Sequence, residues 1–141
     1  MNVVIDTNIW ISGLLWGGPP GQVLQLVRQG QLTAYTSPAQ LEELARTFSK
    51  PKLQPKLQQL GTDADSAIEA IREVAQVIIA PLLPIDRLRD PDDASILAIA
   101  IAATADSLIS GDLDLLTLAE ISGIPILPPQ DFLTRHFPTL Q

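Results

Sequence analysis

Short aliphatic runs alternate with longer helical patterns along this chain, which restricts the folds that it can adopt. The first run, residues 2–6, is largely β-branched and ends at Asp6. Such a run is typical of a strand covered on both faces of a parallel sheet. Four further strands are predicted from apolar runs at residues 32–36, 75–80, 107–110 and 124–127. The alternation predicts an α/β fold: one domain over residues 1–141, built as a three-layer α/β/α sandwich with a mainly parallel five-stranded sheet.

Helices are predicted between these runs from apolar spacing, capping residues and prolines. Their expected bounds are residues 9–15, 21–28, 38–48, 62–74, 91–105, 112–121 and 128–137. Residues 49–61 are polar, basic and interrupted by Pro51 and Pro55, which predicts a helical turn with loops. The segment 91–105 is so rich in Ala, Ile and Leu that its helix is expected to be almost wholly buried.

The residue types present exclude several chemistries. There is no cysteine, which excludes disulfides, thiolate metal sites and cysteine nucleophiles. His136 is the only histidine and lies in a polar tail, which argues against a histidine-based zinc site or a Ser-His-Asp triad. A metal ion would therefore be held by oxygen ligands.

Charge is distributed unevenly along the chain. The formal net charge is −7, which by itself argues against a polyanionic substrate because phosphate binding depends on Lys and Arg. However, six of the 16 acids lie between residues 90 and 114, while basic residues gather elsewhere, at Arg46, Lys50, Lys52 and Lys56. An acidic pocket that binds divalent cations reverses its own local field, so the net charge does not exclude a nucleic acid.

Four separate elements each supply an acid at or just after an apolar segment. Asp6 follows the first strand, Glu43 lies in the helix after the second, and Asp112 and Asp114 follow the fourth. Asp93, close to Asp90 and Asp92, begins the buried helix. Parallel topology is expected to gather these positions at the carboxyl edge of the sheet. Carboxylates that close together need cations, and Mg²⁺ or Mn²⁺ is the chemical match for oxygen ligands.

A second interpretation is open for each of these acids taken alone. An aspartate after a strand also serves as a helix cap, and acids in a first helical turn are favoured by the helix dipole. Glu42 is expected to face solvent more than Glu43 does, since both border the stripe formed by Leu41 and Leu44. Convergence of four acids on one edge favours the metal-site interpretation.

Four motifs in this chain resemble those of the PIN domain. They are V-V-I-D-T-N at 3–8, S-P-x-x-L-E-E-L at 37–44, D-P-D-D-x-x-I-L-A-I-A at 90–100 and I-S-G-D-L-D-L-L at 109–116. The resemblance extends from about residue 1 to residue 128, and the branch it is most similar to comprises the PIN-family toxins of bacterial and archaeal toxin–antitoxin modules. It implies Mg²⁺- or Mn²⁺-dependent endonucleolytic cleavage of RNA.

The resemblance also implies roles for individual residues. The family's metal-binding acids fall on Asp6, Glu43, Asp93 and Asp112, while Asp114 supports or replaces Asp112. Asn8 and Ser110 become polar groups around the site, and Asp90 or Asp92 assists Asp93; the choice between Asp92 and Asp93 as the third acid stays open. Many relatives carry a further acid where this chain has Ala94.

Expected partners follow from the same resemblance. They are an RNA substrate, a cognate antitoxin and further copies of the chain. Arg46, Lys50 and Lys52 are predicted to follow the RNA backbone. Trp16 is interpreted as a contact for dimerisation or the antitoxin, with stacking on RNA bases as the alternative. The chain has no basic segment before its first apolar run and no stretch of about 20 apolar residues, so a cytoplasmic protein without a membrane span is expected.

Two other functions are compatible with parts of the pattern. A PIN-like binding module without strong catalysis is favoured by Ala94 and disfavoured by the four acids that are present. A phosphatase with an aspartate nucleophile also places an acid after its first strand. That chemistry expects a second acid where this chain has Asn8 and a lysine near the later acids, whereas no lysine follows Lys56.

Overall fold

The computed structural model describes residues 1–80 and 91–140, except for the side chains of residues 91, 92 and 140. Within this part of the chain the strands are β1 (Asn2–Ile5), β2 (Thr33–Thr36), β3 (Ala75–Val77), β4 (Ser107–Ile109), β5 (Glu120–Ile121) and β6 (Ile124–Leu127). The helices are α1 (Thr7–Leu15), α2 (Gly18–Arg28), α3 (Pro38–Phe48), α4 (Gln54–Gln59), α5 (Ala64–Val74), α6 (Pro91–Ala102), α7 (Leu113–Leu118) and α8 (Pro129–His136), with 3₁₀ turns at Pro51–Leu53 and Pro138–Leu140.

The strands of the described residues form one sheet in the order β3-β2-β1-β4-β6-β5. All neighbouring pairs are parallel except β5 and β6, which are antiparallel. Because β1 lies at the centre, its carboxyl end is flanked by the carboxyl ends of β2 and β4. The predicted mainly parallel α/β architecture is confirmed.

The predicted number of five strands is wrong, because β5 adds a sixth. The sequence pattern predicted a helix through residue 121, whereas α7 ends at Leu118. Ala119 follows with φ 64°, a left-handed conformation that stops a helix. Positive φ at Ser122 (49°) and Gly123 (78°) then turns the chain back, so that β5 pairs with β6.

Both faces of the sheet are covered by helices. Alternate side chains of β1 point to opposite faces, so that Val3 and Ile5 join one buried cluster and Val4 joins another. The first cluster contains residues of α1 to α5 and α8, and the second contains residues of α6 and α7. In α6, the side chains from Ile96 to Ala100 are all buried, as the apolar sequence of this helix predicted.

Helix starts follow from identifiable caps. Asp6 caps α1 and Ser37 caps α3, each accepting a hydrogen bond from a backbone N–H of the first turn. Prolines at the first positions of α2 extend it upstream of its predicted start at residue 21. In the described residues no helix is both long and apolar enough to cross a membrane.

Candidate metal centre

The pairing of β1 with β4 brings two polar residues together at the carboxyl edge. Ile5 pairs with Ile109, and the backbone N–H of Asp6 donates to the carbonyl of Ile109 at 2.9 Å. The first residue after each strand, Asp6 and Ser110, therefore lies beside the other. The hydroxyl of Ser110 donates to Oδ2 of Asp6 at 2.8 Å, while Oδ1 of Asp6 accepts from the N–H of Thr7 at 2.8 Å. Both Asp6 and Ser110 are buried.

Ser110 also connects Asp6 with the acids that follow β4. The backbone N–H of Asp112 donates to the Ser110 hydroxyl oxygen at 3.0 Å. Oδ1 of Asp112 in turn accepts from the N–H of Asp114 at 2.8 Å and caps α7. One buried hydroxyl therefore fixes the first carboxylate relative to the loop that carries the other two.

Three carboxylates meet at this edge. Asp93, Asp112 and Asp114 each place one carboxylate oxygen within 4.8 Å of the others, and no other such group of acids or histidines occurs in the described residues. Asp93 is buried at the start of α6, Asp112 is half-buried and Asp114 is exposed, so the group leads from the interior to solvent. Negative charges this close repel one another unless a cation lies between them.

The chemistry of this donor set fits a hard divalent ion. Mg²⁺ and Mn²⁺ prefer carboxylate oxygen and take few protein ligands, because they keep several waters. Three carboxylates of graded exposure provide such ligands together with access from solvent. The residues present therefore fit Mg²⁺ or Mn²⁺.

Glu43 reaches the same edge by a separate connection. It lies half-buried on α3, and its Oε2 accepts a hydrogen bond from the hydroxyl of Thr7 at 3.0 Å. Thr7 is only 2% exposed and directly follows Asp6. Glu42 is exposed, in agreement with the sequence pattern. Asp6 and Glu43 are not members of the three-carboxylate group. Asp6 is connected to the segment of Asp112 through Ser110, and Glu43 is connected to the residue after Asp6, Thr7.

Gln40 is a buried positioning residue that the sequence analysis missed. Its side-chain amide N–H donates to the carbonyl of Ile5 at 2.6 Å, and its Oε1 accepts from the hydroxyl of Thr36 at 2.5 Å. Gln40 is 1% exposed and lies one turn before Glu43 on α3. It therefore ties the end of β1, directly before Asp6, to the helix that carries Glu43.

A signal for Gln40 was present in the sequence. Ser37 and Gln40 form the S-x-x-Q pattern of a capping box. The N–H of Gln40 does donate to the Ser37 hydroxyl oxygen, at 3.2 Å. Its side chain, however, crosses to Ile5 and Thr36 instead of returning to the backbone of Ser37. The contact of Thr7 with Glu43 was also not predicted from the sequence.

The remaining predicted site residues are distributed as follows. Asn8 is exposed in the first turn of α1, and Arg46, Lys50 and Lys52 are exposed on or just after α3. Asp90 and the side chain of Asp92 lie outside the described residues, whereas Asp93 is buried and belongs to the three-carboxylate group. Asp106 accepts from the N–H of Asn2, at the opposite end of β1 from the cluster.

Fold and site together define the class of this chain: an α/β/α protein whose acids gather at the carboxyl edge of a parallel sheet. A family model described as PIN domain matches residues 2–114, and the chain therefore belongs to the PIN domain family. The resemblance drawn from its motifs is confirmed. PIN domains are generally nucleases, and they use divalent metals.

Two further comparisons show other proteins that this chain resembles. The chain is 35% identical over 123 residues to an uncharacterized protein of Methanocaldococcus jannaschii, covering 85% of this chain and 76% of that protein. Its fold is similar to one in the crystal structure of VapBC2 from Rickettsia felis bound to a promoter DNA fragment, with a TM-score of 0.58 and 16% identity. That match covers 89% of this chain and 97% of the other.

Proposed function

We propose that this protein is a Mg²⁺- or Mn²⁺-dependent endoribonuclease that hydrolyses RNA phosphodiesters. The observation that carries the proposal is the group formed by Asp93, Asp112 and Asp114, joined to Asp6 through the buried hydroxyl of Ser110. Asp6, Asp93, Asp112 and Asp114 would hold the ion. Asp6, Glu43, Asp93 and Asp112 form the catalytic set.

When bound, the divalent ion supplies Lewis-acid chemistry at the phosphate and lowers the pKa of a coordinated water. The chain's own residues orient the reacting groups around it. Ser110 holds Oδ2 of Asp6, and the N–H of Asp114 holds Oδ1 of Asp112, so both carboxylates are positioned before substrate arrives. We assign Glu43, held at Oε2 by Thr7, to orienting the attacking water.

We further propose that the protein is the toxin of a toxin–antitoxin module and acts in the cytoplasm as a single domain over residues 1–141. Support comes from its sequence motifs and from the likeness of its fold to one in the VapBC2 structure. Its partners would be a cognate antitoxin and further copies of the same chain. Arg46, Lys50 and Lys52, which are exposed, would contact the RNA backbone.

Cleavage of a fluorogenic RNA in Mg²⁺ or Mn²⁺ tests the enzymatic claim. Asp112→Asn keeps the shape of the side chain but removes one ligand charge, and Asp65→Asn makes the same change at an exposed residue of α5. We expect the parent and Asp65→Asn to cleave only with metal. Asp112→Asn should lose about 100-fold or more in rate, because the Asp112 carboxylate would help to hold the ion that stabilises the charge of the transition state. Equal cleavage by parent and Asp112→Asn would contradict the proposal.

Thermal unfolding with and without Mn²⁺ tests the metal site independently of catalysis. A ligand at 100 times its Kd that binds only the folded state stabilises it by about 2.7 kcal/mol. We expect this stabilisation in the parent and in Asp65→Asn, and a clearly smaller one in Asp112→Asn. Stabilisation by metal without RNA cleavage would favour the binding-module alternative, for which Ala94 argues. A melting temperature insensitive to metal would contradict the metal site itself.

A further inference from the structure

A groove of about 440 Å³ opens between α1 and the end of α3. One wall comes from α1 and the residue after it, and the other from the end of α3 and the following 3₁₀ turn. The groove is lined by Asn8, Ile11, Ser12, Trp16, Thr47 and Lys52, among others. Trp16 is 59% exposed and is the one exposed aromatic residue among the chain's six, all of which lie within the described residues. A large aromatic side chain held this far into solvent is available to a ligand.

One end of the groove lies on the side of α1 and α3 where Asp6 and Glu43 are found. Asn8 is two residues after Asp6, and its neighbour Thr7 donates to Oε2 of Glu43. On the opposite wall, the Thr47 hydroxyl donates to the backbone carbonyl of Glu43 at 2.9 Å. The helical rise from Asn8 to Trp16 is about 12 Å. A ligand in the groove would therefore extend from Glu43 to the ring of Trp16.

Basic side chains lie at the groove although the protein as a whole is acidic. All three lysines of the chain and Arg46 lie between residues 46 and 56, and residues 44–62 contain no acid, although the net charge is −7. Lys52 lines the groove, and Nζ of Lys56 lies 5.8 Å from the centroid of the Trp16 ring. The charge of this groove is complementary to a polyanion.

We propose that this groove binds single-stranded RNA on its way to the acidic site, with one base stacked on Trp16 and phosphates contacted by Lys52 and Lys56. This inference rests on the proposed ribonuclease function and specifies how its substrate is held. Aromatic platforms flanked by cations are the general means of holding single strands, because every base offers a face for stacking. The polar side chains of Asn8, Ser12 and Thr47 interrupt the apolar surface that an amphipathic protein helix would need, which favours RNA over a protein partner.

Binding of a labelled 12-mer of oligouridylate, measured by fluorescence anisotropy in Ca²⁺, tests the groove apart from metal-dependent cleavage. Gel analysis of each sample verifies that the RNA stays intact. Trp16→Ala should weaken binding about five- to hundredfold, the loss typical of one stacked base. Trp16→Phe should recover part of this loss. A base stacked on Trp16 should quench the tryptophan fluorescence of the parent. The other tryptophan, Trp10, is only 1% exposed and should contribute a constant background.

Salt dependence separates the role of the lysines from a structural one. Each phosphate contact contributes about 0.7 to the slope of log affinity against log salt for a single strand. The double change Lys52→Gln with Lys56→Gln should lower that slope by about 1.4, whereas Trp16→Ala should leave it unchanged. Arg28→Gln with Arg135→Gln is the matched control, because it removes the same charge from exposed positions outside the groove.

The two proposals fail in different ways. Unchanged affinity in Trp16→Ala and an unchanged slope in the double lysine variant would overturn RNA binding in the groove, and would leave this surface to a protein partner. The nuclease function would still be supported if the parent cleaves RNA in Mn²⁺. Conversely, the variants could lose RNA binding in Ca²⁺ as predicted while the parent fails to cleave RNA in Mn²⁺. That result would contradict the nuclease function and would support the groove as an RNA-binding site.

Discussion

Replacement of Ser110 by alanine tests how the candidate site is held together. Ser110 is fully buried, and its hydroxyl is the group through which Asp6 and the backbone of Asp112 are connected. A hydrogen bond to a charged group contributes about 1.5–3 kcal/mol, and a buried N–H left without its acceptor costs about 1 kcal/mol more. We therefore expect Ser110→Ala to lower the free energy of unfolding by about 2.5–4 kcal/mol in metal-free protein.

Ser107→Ala, at the first residue of β4, is the matched control. Ser107 is equally buried, but its hydroxyl makes one neutral hydrogen bond, to the carbonyl of Pro125 at 3.2 Å. Loss of such a bond costs about 0.5–1.5 kcal/mol. For 141 residues, about 1 kcal/mol corresponds to roughly 3 °C in Tm. The expected decreases in Tm are therefore about 8–12 °C for Ser110→Ala and about 2–5 °C for Ser107→Ala.

Titration with Mn²⁺ measures metal affinity, which would not change if Ser110 had a purely structural role. A residue that orients a metal ligand typically changes metal affinity or activity 10–100-fold when it is removed. Ser110→Ala should need about 10–100 times more Mn²⁺ for half-maximal thermal stabilisation, and Ser107→Ala should match the parent. If both variants lost the same stability and kept the parental Mn²⁺ requirement, the argument that Ser110 positions Asp6 would be refuted.

Two further predictions concern stability. In Gly13→Ala, the new Cβ would meet Leu24 Cδ1 at 2.6 Å and the Pro20 carbonyl oxygen at 2.9 Å. Urea unfolding should therefore show a free energy of unfolding lower by about 1–3 kcal/mol. Gly21→Ala is the control and should not be destabilising, because the nearest atom to its Cβ lies at 3.6 Å. Burial, and secondarily Arg135, lowers the pKa of His136 below 6.5 against an opposing effect of Asp106. The unfolded chain therefore takes up a proton first as pH falls, so stability should be complete above pH 6.5 and decline below it. The decline between pH 7.5 and 5.5 should be smaller in His136→Gln, and identical pH profiles would contradict this assignment.

The sequence predicted the elements whose local signals agree with their packing. The run ending at Asp6 forms β1, and Ser37 followed by proline starts α3 at the expected residue. Strand order was beyond sequence reasoning, because the pairing of β1 with β4 joins segments about 100 residues apart. The strand β5 was missed for a local reason: Ala119 adopts φ 64°, and nothing about an alanine signals a left-handed residue.

The sequence predicted the acids of the candidate site, but it predicted only some of the polar residues that orient them. Carboxylates after strands are visible as sequence patterns, and Asp93, Asp112 and Asp114 do lie together. The polar residues that orient such acids are ordinary in sequence. The roles of Thr7 and Gln40 become visible only in the folded protein, where Thr7 contacts Glu43 and Gln40 contacts the carbonyl of Ile5.

The pairing of β1 with β4 also determines when the candidate site comes into existence. The hydrogen bond between Ser110 and Asp6 spans 104 residues, so a chain interrupted before β4 contains Asp6 and Glu43 but neither Ser110 nor Asp112. Contacts between segments this distant form late, because a long loop must close first. Premature termination before β4 would therefore yield a fragment that lacks Ser110, Asp112 and Asp114, and with them most of the candidate metal centre.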